Sequence, residues 1–156
     1  MARGLTKRKP AKGAVREKAA LGEKIARLEL LQAIVVAANE APTLQDAMQI
    51  CLDRICAHIG WPIGHAYLHS GKPSGELVSG PWHLDDPKRC ETFRKATEAT
   101  RFHPGIGLPG RVLGGGKPLW IADVTKDPYF PSARQAEAAG VKAGFGIPVR
   151  AGTEVA

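Results

Sequence analysis

The sequence predicts an α+β fold in which helices flank an antiparallel sheet, with a long helix at the N-terminus. Three observations predict it. Residues 14–59 contain two stretches with apolar residues at helical spacing, residues 63–82 contain two strand-like stretches, and residues 102–150 contain a strand–helix–strand order. The chain has 156 residues, of which 44% are hydrophobic and 24% are charged, so it is long enough for one domain with its own core plus an extension.

The net charge of +7 belongs mainly to the N-terminal segment. Residues 1–18 contain seven basic residues and one acidic residue, whereas the rest of the chain contains 15 basic and 14 acidic residues. Residues 1–13, with Pro10 and Gly13, are therefore expected to form a basic, disordered leader. Such a segment can bind nucleic acid through counter-ion release, but no aromatic residue is interleaved with its charges and no DNA-reading motif follows. Nucleic acid is not the expected partner.

The composition also predicts the compartment. No apolar run reaches the ~20 residues needed to cross a bilayer, so no membrane span is expected, and the basic start lacks the apolar segment of a secretory signal. The three cysteines, Cys51, Cys56 and Cys90, form an odd set without a CxxC pair. These features predict a cytoplasmic protein.

Residues 14–41 have the alanine-, leucine-, glutamate- and lysine-rich composition of a long amphipathic helix. Apolar residues on it follow a short coiled-coil seam of about two heptads: Leu21, Ile25, Leu28 and Val35. A seam of this length is as typical of packing within one chain as of a dimer contact. Both interpretations stay open.

A second helix is predicted after Pro42, because proline disfavours helical geometry in the residue before it. Thr43 is positioned to cap this helix and Gly60 to close it. One face carries apolar residues at helical spacing: Leu44, Met48, Cys51, Leu52, Ile55 and Ile59. On this face Cys51 is expected in the core, with Cys56 beside it or near its edge.

Residues 63–69 and 76–82 are predicted to form a hairpin with a turn at 71–75. One face of the first strand would carry Ile63, His65, Tyr67 and His69. Asp86 followed by Pro87 predicts the start of a third helix. Its buried side would contain Cys90, Phe93 and Ala96 or Thr97.

The last third of the chain begins with a G-x-G-x-x-G pattern at Gly105, Gly107 and Gly110. A dinucleotide-binding interpretation requires a preceding apolar strand, which residues 97–103 do not supply. The pattern therefore predicts a turn whose glycines reach positive φ, with Pro109 opening a short helix.

The rest of this third predicts a helix end and turn at 114–117, a strand at 119–122, a helix at about 132–139 and a strand at about 143–149. Together with the loop Pro104–Gly110, this order resembles the GAF domain, a small ligand-sensing module of bacterial signalling proteins. The resemblance runs from about Leu30 to the last residue.

The resemblance implies a non-catalytic sensory or regulatory module of a signal-transduction protein such as a two-component system. It implies a homodimer contact at the N-terminal helix and signalling through that helix to an output domain or partner protein. The sequence carries no H-box, no ATP-binding box and no GG(D/E)EF motif, so kinase or cyclase activity would belong to another domain. A family member normally continues after the strand at 143–151 with a turn, a strand and a closing helix. We therefore expect a domain, over residues 42–156, without its final strand and closing helix.

The resemblance also implies a small-molecule pocket between the sheet and residues 85–127, while the ligand and any cofactor stay unknown. The residues expected nearest to it are Tyr67, Trp82, Phe102, Trp120, Asp123 and Tyr129. Some members of the family reduce free methionine sulfoxide with cysteines on loops over the pocket, but all three cysteines here fall on predicted helices. No metal site is expected, because His65 and His69 would lie about 13 Å apart on a strand. An interaction-only or dimerisation module remains the alternative to a ligand sensor.

Overall fold

A computed structural model describes residues 12–71, 75–151 and 154–155. Most of the predicted basic leader lies outside the described residues, as do the centre of the predicted hairpin turn and residues 152–153.

The described residues confirm the α+β class. The helices are α1 Lys12–Glu40, α2 Leu44–Ile59, α3 Pro87–Ala99, α4 Gly107–Gly115 and α5 Ala133–Ala138. The strands are β1 Ile63–His69, β2 Leu77–Leu84, β3 Leu119–Ile121, β4 Gly144–Gly146, β5 Arg150–Ala151 and β6 Glu154–Val155. Within the described residues these strands form three antiparallel pairs, β1–β2, β3–β4 and β5–β6, instead of the one sheet that we expected. Strand β4 is shorter than predicted, and the nearby Pro148 has no backbone N–H to extend its ladder.

The predicted helix caps are confirmed. The hydroxyl of Thr43 accepts a hydrogen bond from the backbone N–H of Asp46 at 3.1 Å, and Gly60 ends α2 in the left-handed conformation with φ of 70°. The carboxylate of Asp86 accepts from the N–H of Arg89 at 3.1 Å, ahead of a proline in the first turn of α3. These caps pair backbone groups at both ends of α2 and at the start of α3 that would otherwise lack partners.

The prediction for the cysteines of α2 was wrong. Cys56 is buried, whereas Cys51 is only half-buried. Helix α2 packs against the β1–β2 hairpin with Cys56 directed at Gly64, where a side chain would collide with the sulfur and with Leu52. Gly64 thus allows the close approach that buries Cys56.

The β1–β2 hairpin contains a bulge. His65 pairs with Trp82 and Tyr67 pairs with Ser79, so two residues of β2 lie opposite Ala66 alone. One of these two is Pro81, which cannot donate to a ladder and is tolerated at such irregularities. The bulge sets which β2 side chains lie beside His65.

The core lies between the hairpin, α3, α5 and β3. Its buried residues are Phe93, Ile121, Val124, Ala136 and Ala139. Trp82 and Leu108 are among the partly buried residues that pack against it. Helix α1 lies outside this core and contacts α2.

The glycine loop differs from the prediction at one glycine. Gly105 and Gly107 have φ of 91° and 62°, as expected, but Gly110 lies within α4 and has no positive φ. Gly110 is needed for space instead, because a side chain there would collide with the carbonyl oxygen of His103. Helix α4 begins at Gly107, two residues before Pro109.

Candidate ligand site

Five rings gather on the face of the hairpin that meets α3. The rings of His65 and Trp82 stack with centroids 3.6 Å apart and planes 12° apart. The ring of Tyr67 lies 4.0 Å from His65 and meets Phe102 edge-on at 5.2 Å, while Trp82 meets Phe93 edge-on at 6.2 Å. We call these five residues the hairpin aromatic cluster. It contains Tyr67, Trp82 and Phe102 from the predicted site and adds two residues that the prediction did not include.

Separate elements hold the cluster together. The bulge places Trp82 opposite His65, and α3 supplies Phe93. Phe102 follows α3, and its carbonyl accepts a hydrogen bond from the N–H of Leu77 at 2.8 Å, which ties this segment to β2. The geometry therefore depends on contacts between residues far apart in sequence.

Burial keeps the polar side chains of the cluster uncharged. Desolvation, assisted by the positive charge of Arg94, lowers the pKa of His65 to about 3. Its Nε2 lies 2.8 Å from the hydroxyl of Ser79. Desolvation also raises the pKa of the Tyr67 phenol above its ordinary value. At neutral pH both side chains are neutral.

Three buried polar atoms in and beside the cluster have no hydrogen-bond partner among the described residues: His65 Nδ1, Trp82 Nε1 and Thr97 Oγ1. Thr97 is only 5% exposed and lies one helical turn after Phe93 on the buried side of α3. Leaving a buried polar group unpaired costs about 1–3 kcal/mol. Such groups are uncommon in folded proteins, and a bound water, ion or other molecule that pairs with them is one explanation.

An open cleft adjoins the cluster. Its volume is about 840 Å³, and its walls come from α2, β2 and α3. Gln49 lies on the α2 side, Ser79 and Trp82 on β2, and Arg94 and Glu98 on α3. Because Trp82 belongs to both the cluster and the cleft, it forms the boundary between them.

A polar network connects this boundary to α2. The side-chain amide of Gln49 donates to the carbonyl of Trp82 and to Asp53, each at 3.0 Å. Asp53 also contacts Nδ1 of His83 at 2.7 Å, and Nε2 of the same ring lies 3.2 Å from Asp85. No sequence pattern predicts this network, since it joins α2 to β2 across 30 residues or more.

The other three predicted site residues lie elsewhere. Trp120 contacts the rings of Trp61 at 5.7 Å and Phe145 at 6.0 Å and is 56% exposed. Trp61, Trp120 and Phe145 are called the surface aromatic group below. Tyr129 is 66% exposed. A role of Trp120, Asp123 and Tyr129 in ligand binding stays a prediction.

Asp123 has a local structural role. Its Oδ1 accepts hydrogen bonds from the backbone N–H of Thr125 at 3.1 Å and from the Thr125 hydroxyl at 2.6 Å. The side-chain hydrogen bond from Thr125 is the main cause that lowers the pKa of Asp123. These contacts cap the loop toward Asp127, whose own carboxylate pairs with Arg111 at 2.7 Å.

Two of the three cysteines lie in surroundings that disfavour activation of the thiol. Cys56 and Cys90 are buried, and desolvation raises the pKa of both thiols, which disfavours the reactive thiolate. Within the described parts of the chain, no group of three or more histidine, cysteine or acidic residues is arranged to hold a metal ion.

None of the helices within the described ranges combines the length and apolar character needed to span a bilayer.

The described elements define a small α+β domain of helices and short antiparallel strand pairs. The family model of the GAF domain matches residues 41–156. The chain belongs to the GAF domain family.

Solved structures agree on the fold. The A. aeolicus nlh2 GAF domain in an inactive state is 18% identical with a TM-score of 0.64, covering 85% of this chain and 76% of that one. The GAF domain of a phosphoenolpyruvate-protein phosphotransferase from Coxiella burnetii is 22% identical with a TM-score of 0.63, covering 84% and 73%. The free methionine-R-sulfoxide reductase from Neisseria meningitidis, in complex with its substrate, is 18% identical with a TM-score of 0.61, covering 86% and 70%. At these identities the likeness shows the fold alone. No curated protein sequence matches significantly.

Proposed function

We propose that the chain is a non-catalytic sensory module that binds a small molecule at the hairpin aromatic cluster and signals through α1. The observation that carries this proposal is the set of three buried, unpartnered polar atoms on Trp82, His65 and Thr97, together with the open cleft that Trp82 lines. Pockets for small ligands commonly combine an apolar, aromatic lining with a few polar groups. Tyr67 and Phe102 supply the remainder of that lining.

The alternative of a methionine sulfoxide reductase finds less support. That chemistry in the Neisseria protein is a property of that protein, with which this chain shares the fold. Here Cys51 and Cys56 lie on α2 and Cys90 on α3, and burial raises the pKa of two of the three thiols. A nucleophilic thiol requires the opposite shift.

Signalling to α1 would pass through α2. The carbonyl of Trp82 accepts from Gln49 on α2, so a ligand that displaces Trp82 acts on this helix directly. Helix α2 packs against α1 around Ala37, which is buried, with Ile50 on the α2 side. A ligand that favours one arrangement of this helix pair over another would shift the equilibrium between them.

The second candidate function is an interaction module without a ligand. The predicted seam on α1 is exposed along its length: Leu21, Ile25, Leu28 and Val35. Leu28, for example, is 65% exposed. A second copy of the chain is the proposed occupant of this stripe, and an output domain or partner protein in the cytoplasm would receive the signal.

Native mass spectrometry of the purified chain tests both functions. For a ligand sensor we expect a compact protein with added mass that is lost in Trp82→Ala and retained in the matched control Trp120→Ala. An interaction-only module would form a dimer without added mass, and Leu28→Asp would convert it to monomer. Loss of the added mass in both tryptophan variants to the same extent would contradict the proposed site. Circular dichroism of each variant establishes that it is folded.

A further inference from the structure

We propose that two copies of the chain join through α1 as a parallel, in-register coiled coil in which Lys24 pairs with the partner's Glu29. The arrangement rests on the second candidate function, since its partner is the second copy proposed there for the exposed stripe. It goes beyond that candidate by fixing the direction and the register of the two helices. Three observations carry it: the side of α1 that α2 leaves free, the residues that fill the seam and the residues that flank it.

Helix α2, which packs against α1, leaves the seam side of α1 free. The buried and half-buried residues of α1 between positions 21 and 38 are Ala26, Leu30, Ala33, Ile34 and Ala37. In a heptad counted with Ile25 at position a, these residues occupy positions b, c and f, which lie on the side opposite a and d. Within the described residues, the a and d positions of α1 therefore stay exposed while α2 is in place.

The seam has the composition of a two-stranded coiled coil. Leu21, Leu28 and Val35 occupy d positions, and Ile25 and Gln32 occupy a positions. A β-branched residue at a with leucine at d favours two parallel strands, and a single polar residue at an a position specifies the register. In a parallel pair Gln32 faces Gln32 of the partner subunit. Two side-chain amides satisfy each other, since each has a donor and an acceptor.

The residues beside the seam match in a parallel pair. There a residue at position g lies next to the partner's residue at position e, five positions further along. Lys24 then lies beside the partner's Glu29, and Leu31 lies beside the partner's Val36. All four side chains are exposed, and among the described residues neither Lys24 nor Glu29 is in an ion pair of its own chain. Opposite charges meet in one pair and apolar side chains meet in the other.

An antiparallel seam fits these residues less well. In that direction a positions face d positions, so aligning Ile25 with the partner's Leu28 places Gln32 against the partner's Leu21. The amide would then be buried against an aliphatic side chain without a hydrogen-bond partner, which is unfavourable.

The flanking residues also oppose the antiparallel direction. Positions g face each other there, so Lys24 meets the partner's Leu31 and the ion pair is lost. Moving the register by one heptad brings Glu29 against the partner's Glu29 in one sense and Lys24 against the partner's Lys24 in the other. Like charges at these positions are destabilising, so the pattern selects the parallel pair.

Cysteine cross-linking of the full chain tests the direction of the helices. In the parallel register position 21 faces itself, so oxidation should link two chains of Leu21→Cys. In the antiparallel register position 21 faces position 32, and the two copies of position 21 lie about 16 Å apart, too far for a disulfide. Mixed Leu21→Cys and Gln32→Cys chains would link to each other instead. Glu23→Cys, at position f, is the matched control, and all variants carry Cys51→Ser because Cys51 is the only one of the native cysteines that is not buried.

Charge reversal tests the flanking pair. Lys24→Glu and Glu29→Lys should each weaken the dimer about tenfold at low salt, because both copies lose an ion pair and gain a repulsion. Mixing the two variants restores opposite charges on both flanks, so the mixed dimer should regain most of the original affinity. Arg27→Glu changes the charge equally at position c, outside the flanks, and should change the affinity less than about threefold. Sedimentation measures the dissociation constants, and circular dichroism establishes that each variant is folded.

The outcomes separate this arrangement from the proposed functions. Cross-links only between Leu21→Cys and Gln32→Cys chains would overturn the parallel direction and keep the second copy as partner. Equal weakening by Arg27→Glu, or no recovery in the mixture, would overturn the pairing of Lys24 with the partner's Glu29. A chain that stays monomeric would contradict both this arrangement and the interaction module. Ligand binding at the hairpin aromatic cluster is judged separately, by the added mass and its loss in Trp82→Ala.

Discussion

The molecule contains two groups of aromatic side chains that the sequence does not distinguish. The hairpin aromatic cluster, around Trp82, is largely buried and contains polar atoms without partners. The surface aromatic group consists of Trp120 and Phe145, which lie on the short β3–β4 ladder and are about half-exposed, and of Trp61, which contacts Trp120. Each group contains a tryptophan that lies in a predicted strand. Under the proposed function, binding capacity would come from buried unsatisfied groups and not from aromatic content.

The two aromatic groups differ in solvent exposure because different elements cover them. Helix α3 lies across the hairpin and brings Phe93 against Trp82, so the rings there are desolvated. Trp120 contacts only Trp61 and Phe145 among the aromatic rings of the described residues, and Phe145 is itself 48% exposed. A desolvated polar group gains much from a ligand, whereas an exposed one already has water.

The largest expected difference between the two groups is in stability. Phe93 is 7% exposed, so Phe93→Ala should lower the free energy of unfolding by about 3–5 kcal/mol. The matched change Phe145→Ala should lower it by less than ~1 kcal/mol, because that ring is half in water already. Urea denaturation, with midpoints compared at unchanged slope, measures both values. Similar losses for the two variants would mean that the surface group is also packed as core.

The next effect is a pH dependence specific to the hairpin aromatic cluster. The folded pKa of His65 is lowered to about 3 from an ordinary value of 6.5. Since the unfolded chain binds the proton more readily, the contribution of neutral His65 is fully present above pH 6.5 and is lost as the pH falls toward 3. Between pH 6.5 and pH 4 the expected loss is about 3 kcal/mol.

Denaturation at several pH values, for the unsubstituted chain and for His65→Phe, measures this dependence. His65→Phe keeps a ring in the stack but has no titrating group, so its stability should decline less between pH 6.5 and pH 4. Parallel curves for the two proteins would show that His65 is not the group responsible.

The elements that the sequence predicted well are those defined by local chemistry. Thr43, Gly60 and Asp86 act within their own helix ends, and the structure places all three as expected. The cluster could be predicted only in part. Strand alternation predicted that Tyr67 shares a face with His65, and the two rings are 4.0 Å apart. The bulge that pairs Trp82 with His65 changes the register in a way that a constant two-residue period cannot show.

Errors arose where a distant residue decides burial. Cys56 is buried because Gly64 lies opposite it, and the helical pattern of α2 alone favoured Cys51. Likewise, the unpartnered state of Thr97 depends on what α3 faces, and no property of its sequence neighbours reports it. The pattern of residues therefore indicates the elements, while the contacts between elements determine the site.

The smallest effect concerns Asp123, which sequence analysis placed at the pocket. Asp123→Ala removes the acceptor for the N–H and hydroxyl of Thr125, so it should lower the melting temperature slightly. It should leave the added mass of the purified chain unchanged, because its contacts lie in the loop toward Asp127 and not in the hairpin aromatic cluster. Asp123→Asn keeps an acceptor oxygen and should retain most of the stability. If both variants lose the bound mass and keep their stability, Asp123 belongs to the ligand site. The proposed difference between the two regions would then be wrong.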